Sequence, residues 1–234
     1  GRAETIYLRF HVVWELIPVG QIELWKTPHQ YIAYAHTTGL GALIFPFRSL
    51  WQTRIDREGY PRITRIEVLE RKHPKKKILY FYPREGKLIR EKITPRKHLR
   101  ETYAVPYPLY DELSGFWRAV THRWRKPKES LILRIFAGEK AHMVTVRALG
   151  YERIKTFQGW RTALKIQARL PTASELIRHS RKAVLWLSPQ GWPLAGEGKI
   201  PLGHLKVFLV KVLKGAHAPP PPKALLGRIG PASD

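Results

Sequence analysis

The chain reads as a mainly β protein: a strongly curved antiparallel sheet, a barrel or half-barrel of about eleven to thirteen strands, with one helix packed across it. Three observations predict this. Apolar and polar residues alternate with period two over most of the 234 residues. Gly or Pro punctuates that alternation about every eight to twelve residues, as in an antiparallel meander. One stretch alone, "DELSGFWRAVTHRWRKPK", switches to the helical period. A flat sheet of such width leaves long edges, so it must curl or split into packed layers.

"TIYLRFHVVWEL" leads through a turn at "IPVG" (Ile17 to Gly20) into "QIELWK", and "YIAYAHT" adds a third strand. "GLGALIFPF" from Gly39 is Gly-rich without a Lys and predicts a loop with an apolar plug. "SLWQTRID" turns at "REGYP" into "RITRIEVLER", and "KKILYFYP" turns at "REG" into "KLIREKI", which makes two hairpins. Beyond the helix come "LILRIFAG", "AHMVTVRAL", "YERIKTF", "WRTALKIQARL", "AVLWLSP", "EGKIPLG" and "LKVFLVKVL", joined by Gly or Pro. From Gly215 the Pro-rich tail "APPPPKALLGRIGPASD" predicts an extended, polyproline-like segment outside the core. The expected division is therefore one β domain over 1–214 and a tail over 215–234.

In the helical stretch Asp111 is placed as N-cap and Pro127 as stop, with Lys126 the last helical residue. Leu113, Phe116, Trp117, Val120 and Trp124 fall on one face. Arg118, His122 and Arg125 form a second stripe, with Arg123 and Lys126 beside it. Stacking on single-stranded bases needs exposed rings next to cations, and this segregation favours a helix packed on a core instead. The basic stripe stays open to an anion.

Forty-two Lys and Arg stand against 18 Asp and Glu, a formal charge of +24, so a charged partner is anionic: nucleic acid, lipid or lipopolysaccharide head groups, acidic glycan or acidic protein. The densest charge is "RKHPKKK", from which Arg71, Lys72, Lys75, Lys76 and Lys77 are candidate anion-binding residues alongside Arg118, His122, Arg123 and Arg125. A solvated hairpin tip with lysines guarding an edge strand explains the same run equally well. Asn and Cys are absent and Met143 is the single Met, which fits a thermophilic source and excludes disulfide or thiolate-metal chemistry. Aspartate occurs only at Asp56, Asp111 and Asp234. The histidines lack metal-site spacing, and no nucleophile elbow or phosphate-cradling motif occurs. The expectation is a protein without catalytic residues, metal or cofactor.

"VVWELIPVGQIEL", "IDREGYPRI", "DELSGFWR", "RIFAGEKAHMVTVRALGYERIKTFQGWRTALKI" and "WLSPQGWPLAGEGKIPLGHLKVFL" occur in the order seen in a bacterial exported-protein family catalogued as domain of unknown function 3108, which the chain resembles over most of its length. The resemblance maps the family's recurring features onto Trp14, Gly20, Asp56, Pro61, Ser114, Arg118, Gly138, Glu152, Trp186 to Ser188, Pro193 and Gly203. Where the family tends to carry an Asp after "WLS", this chain has Pro189 and Gln190. The resemblance implies a periplasmic or secreted β-rich protein, its signal peptide removed, with no assigned activity. The chain begins at Gly1 and no apolar run reaches the roughly 18 residues of a membrane span, in keeping with export. A curved sheet with a helix across its opening is similar to the lipoprotein carriers of the bacterial periplasm, an analogy of fold alone.

The reading from sequence is a non-enzymatic, exported β protein that binds an anionic envelope component or another protein through its basic surface. One alternative is a carrier or sensor of an amphipathic envelope molecule, with Ile6, Leu8, Phe10, Val12, Val207 and Leu209 lining a cavity rather than filling a solid core. Others are an accessory subunit that assembles, with copies of itself or with other chains, through its tail, and a nucleic-acid binder, which requires Trp117 and Trp124 to be exposed.

Overall fold

A computed structural model describes residues 4–170, 182–200 and 203–231. Fourteen strands form one antiparallel sheet. The first meander comprises β1 (Ile6–Trp14), β2 (Ile17–Lys26), β3 (Gln30–Thr37), β4 (Phe47–Ile55), β5 (Pro61–Glu70), β6 (His73–Tyr82), β7 (Lys87–Ile93) and β8 (His98–Ala104). The second comprises β9 (Ser130–Ala137), β10 (Lys140–Thr156), β11 (Gly159–Arg169), β12 (Lys182–Leu187), β13 (Pro193–Ile200) and β14 (Gly203–Lys214). Pairing of β1 with β14, Val12 opposite Val207, stitches the two together, and β8 and β9 are left as the edges.

Those edges do not pair, yet they meet. The residues after β8 run beside β9: Tyr110 N donates to Arg134 O (2.9 Å) and Phe136 N donates to Tyr110 O (2.8 Å). The rings of Tyr103 and Phe136 lie 5.4 Å apart. Arg90 of β7, almost fully buried, donates to Gly138 O in the β9–β10 turn and pairs with Glu101 (3.3 Å) and Glu139 (3.6 Å). Leu79, Phe81, Leu88, Val105, Leu109 and Phe136 form a small apolar cluster under this seam.

Helix α2 (Glu112–Thr121) lies inside the curl, against β3 and β4 on one side and β9 on the other. Asp111 caps it as expected, accepting from Ser114 N at 2.9 Å. Leu113, Trp117 and Val120 are buried, and Phe116 and Trp124 pack on the same cluster. The helix stops at Thr121, five residues before the expected Lys126, because His122 turns to extended backbone and the Trp124 indole folds back to Ala119 O at 3.1 Å. Its aromatics therefore face the core.

Four expectations need correction. The sheet has fourteen strands: β8 was missed because "HLRETYA" is a charged edge strand with no buried face to give it alternation. "AHMVTVRAL" and "YERIKTF" are one strand, β10, kinked by a bulge at Gly150 where φ is 121°. The first turn falls at Glu15 and Leu16, where Glu15 takes φ 52°. "GLGALIFPF" contains a second helix, α1 (Gly39–Ile44), too short for its period to show; it is no plug, since Leu43 is 81% exposed and Ile44 67%. The strand expected at "EGKIPLG" coincides with the end of β13, and its Pro201 and Leu202 lie outside the described residues.

The tail crosses the outer face of its own sheet. Trp25 Nε1 donates to Pro219 O at 2.8 Å, Gln52 Nε2 to Pro222 O and Lys223 O, and Leu225 N to a Glu67 carboxylate oxygen at 2.5 Å. Tyr7, Trp25, Ile32 and Leu50 are thereby buried on the side of the sheet away from α2, with Ala218 and Leu225 packed over them.

Candidate functional site

Alternation decides where the basic run goes. Val68 and Ile66 face inward on β5; opposite them on β6 stand Lys75 and Lys77, so these two also face inward, and Lys77 pairs across with Lys92 of β7. Lys77 is 5% exposed, while Lys75 and Lys92 are half-buried. Lys76, one residue out of phase, lies on the outer face, 3.8 Å from Glu67, the carboxylate that also holds Leu225. Arg71 (φ 57°) and Lys72 form the exposed hairpin tip. The five residues of "RKHPKKK" are thus split three ways: rim, inner wall and outer wall.

The second candidate cluster sits at the opposite end of the strands. Trp117 stacks on Tyr31 at the start of β3 and lies under Lys26 Nζ at the end of β2, so α2 points its C-terminus towards the β2–β3 turn, away from the β5–β6 tip. There Glu129 gathers the cluster: its carboxylate accepts from Arg125 N (2.7 Å), Lys126 N (3.2 Å) and His122 Nε2 (2.9 Å). Arg118 Nη1 faces His122 Nδ1 at 3.4 Å; a guanidinium only donates, so Nδ1 accepts and Nε2 carries the proton towards Glu129. The Arg125 amide, then His122, then the Lys126 amide hold the Glu129 carboxyl down at about 2. Arg118 is half-buried, and Arg123 and Arg125 are exposed.

The strand ends near the β1–β2 turn frame an inner surface of mixed character. Residues paired across neighbouring strands share a face, so Val12, Ile22, Ala35, Ser49, Val207, Leu185 and Ala183 continue the inward rows begun by Phe10, Leu24, Ala33, Trp51 and Leu209. The deep members of these rows are buried against α2, whereas Val12, Ile22, Ala35, Ser49, Val207, Leu185 and Ala183 are half-buried. One wall is apolar apart from Ser49; the other carries Lys75, Lys77, Lys92 and Arg90, with Glu70, Glu101 and Glu139 beside them. Sequence reasoning treated Lys75 to Lys77 as a surface run because it lacked the strand phase; their alternation with the inward Val68 and Ile66 is the signal that finds them.

Deeper in, Asp111 does more than the capping that its place in the sequence predicts. Fully buried, its Oδ2 accepts from Trp51 Nε1 (3.0 Å), Thr53 Oγ1 (2.5 Å) and Thr64 Oγ1 (2.9 Å), and its Oδ1 from Ser114 N and Oγ. With every lone pair taken, it anchors the helix to β4 and β5. The family-like residues mostly lock turns. Asp56 Oδ1 accepts from Glu58 N and Tyr60 N, Ser188 N donates to Trp192 O, and Gly203 (φ 134°) lets Glu15 Oε1 and Trp14 Nε1 close within 2.2 Å and 3.2 Å of where a Cβ would stand. Glu152 lies elsewhere, on β10, where it accepts from the Trp186 indole at 2.9 Å. Among the described residues no group of three His, Asp or Glu could hold a metal ion.

A crystal structure of a β-barrel-like protein of domain of unknown function DUF1849 from Brucella abortus is similar in fold, with a TM-score of 0.60 at 8% identity over 91% of this chain and 98% of that one. A DUF1089 family protein from Pseudomonas aeruginosa aligns with a TM-score of 0.39 at 12% identity over 75% of this chain and 88% of that one. No curated protein sequence matches the chain. The family model described as "Protein of unknown function (DUF3108)" matches residues 9–210, which agrees with the resemblance carried by the turn-locking residues, and the chain belongs to that family.

Proposed function

We propose that the protein is a non-enzymatic, exported binding protein that holds an anionic amphiphile, a molecule with an acyl or similar apolar body and an acidic head, in the mouth of its curled sheet. One observation carries the reading: an inward, mostly apolar wall of half-buried side chains (Val12, Ile22, Ala35 and Val207, with Ser49 its polar member) continues across β5 into a wall bearing Lys75 and Lys92. An apolar surface with a few placed cations is the chemistry that retains an acidic lipid-like ligand. The exposed cations at the two ends of the strands act as a long-range field that attracts such a ligand rather than as one site.

Titration with a fluorescent anionic fatty acid tests this. Saturable uptake of one probe per chain is expected, weakened by Lys92→Ser and abolished by Ala35→Trp, which fills the apolar wall. Uptake unaffected by Ala35→Trp, or equal uptake of a cationic analogue, would count against the site.

A further inference from the structure

We infer that the rim formed by the β1–β2 turn and helix α1 is a docking surface for an anionic phospholipid bilayer. The rim lies outside the inner wall, so the inference stands whether or not that wall binds a ligand. Large apolar side chains crowd one short stretch of it. Leu16 is 94% exposed, Leu43 81% and Ile44 67%, with Leu40, Phe45 and Ile17 also exposed. The two segments are locked side by side: Thr38 N donates to Val19 O at 2.9 Å, and the helix sits so close to β2 that a Cβ on Gly41 would stand 2.2 Å from Val19 O. Side chains standing this far out from two adjoining tips suit insertion among acyl chains.

Cations stand beside them. The Arg71 guanidinium lies 5.3 Å over the Phe45 ring, and Arg71 N donates to Pro46 O, which fixes the β5–β6 tip against the end of α1. Lys72 is exposed next to it, and Arg96 and Lys97 are exposed in the β7–β8 turn at the same end of the sheet. Of the described acids at this end, Glu15 is bound by His204 N at 2.8 Å, Glu70 is half-buried on the inner wall, and Glu139 in the β9–β10 turn pairs with Arg90 at 3.6 Å. Apolar tips flanked by arginine and lysine match a bilayer whose acyl region lies beneath acidic head groups, each cation adding to the attraction near the surface.

The test is flotation of the whole chain with vesicles of phosphatidylglycerol and phosphatidylcholine in equal parts, and with phosphatidylcholine alone. The wild type is expected to float with the mixed vesicles, less so at high salt, and to stay behind with the neutral ones. Leu43→Asp with Ile44→Asp should weaken binding about tenfold or more while leaving thermal unfolding unchanged, since both side chains already face water. Arg71→Gln with Lys72→Gln should weaken it about fivefold per charge. Failure of the wild type to float with anionic vesicles, equal flotation with neutral ones, or full binding by the Asp variant would each overturn the inference; recovery of a protein partner with no vesicle binding would do the same.

Discussion

Trp25, on the second strand, donates its indole N–H to the carbonyl of Pro219 at 2.8 Å, 194 residues further along the chain. That bond and its neighbours turn the C-terminal segment into a strap over the outer face of the sheet. Four consecutive prolines, Pro219 to Pro222, carry a preset φ and lower the entropy lost on docking.

Replacing those four prolines by alanine should therefore cost roughly 2 kcal/mol or more, and Trp25→Phe about 1 kcal/mol. Urea unfolding measures both. A strap that contributes nothing would leave the midpoint unchanged in each variant.

Asp111→Asn should be nearly as damaging as Asp111→Ala, at about 3 kcal/mol. Donors reach both carboxylate oxygens, and two of them, Trp51 Nε1 on Oδ2 and Ser114 N on Oδ1, cannot become acceptors. Whichever way the amide is turned, its NH₂ meets another N–H. Near wild-type stability of the Asn variant in urea would refute this description of the network.

Glu129 makes stability depend on acid. Its folded pKa, about 2, lies below the ordinary 4.5, so its contribution is complete above the ordinary value and is lost as pH falls from there through about 2. The gap in stability between wild type and Glu129→Gln should accordingly narrow across that window. Carboxyl chemical shifts followed by NMR give the pKa directly, and titration of Glu129 at the ordinary value would contradict the assignment.

Gly41→Ala sets two effects against each other. Alanine favours a helix by about 1 kcal/mol over glycine, while the added Cβ would stand 2.2 Å from Val19 O, a backbone atom that cannot swing aside; overpacking of this kind costs about 1–3 kcal/mol. The clash wins, and α1 should lift from β2. Hydrogen exchange should speed up at the amides of Ala42 and Phe45, which are bonded to Thr38 O and Gly41 O.

Much of the sheet is legible in the sequence because a strand that buries one face alternates; β10 shows it plainly, with Val144, Val146 and Ala148 buried between exposed neighbours. β8 and α1 escape for opposite reasons, β8 because an edge strand gains little from burying a face, α1 because six residues hold under two turns of helix. The capping of α2 by Asp111 is readable from residue type and position, but the donors from Trp51, Thr53 and Thr64 are not, since they lie 47 to 60 residues away. The lysine run was visible as charge and invisible as geometry: only the strand phase separates Lys76, on the outside, from Lys75 and Lys77 within.

Native mass spectrometry of the protein purified from the cells that produce it bears most directly on the central claim, the binding of an anionic amphiphile by the inner wall. One acidic lipid-like mass per chain is expected, reduced in Lys92→Ser and missing from Ala35→Trp. A clean monomer mass from wild type under conditions that preserve non-covalent complexes, or an adduct retained in full by Ala35→Trp, would contradict it.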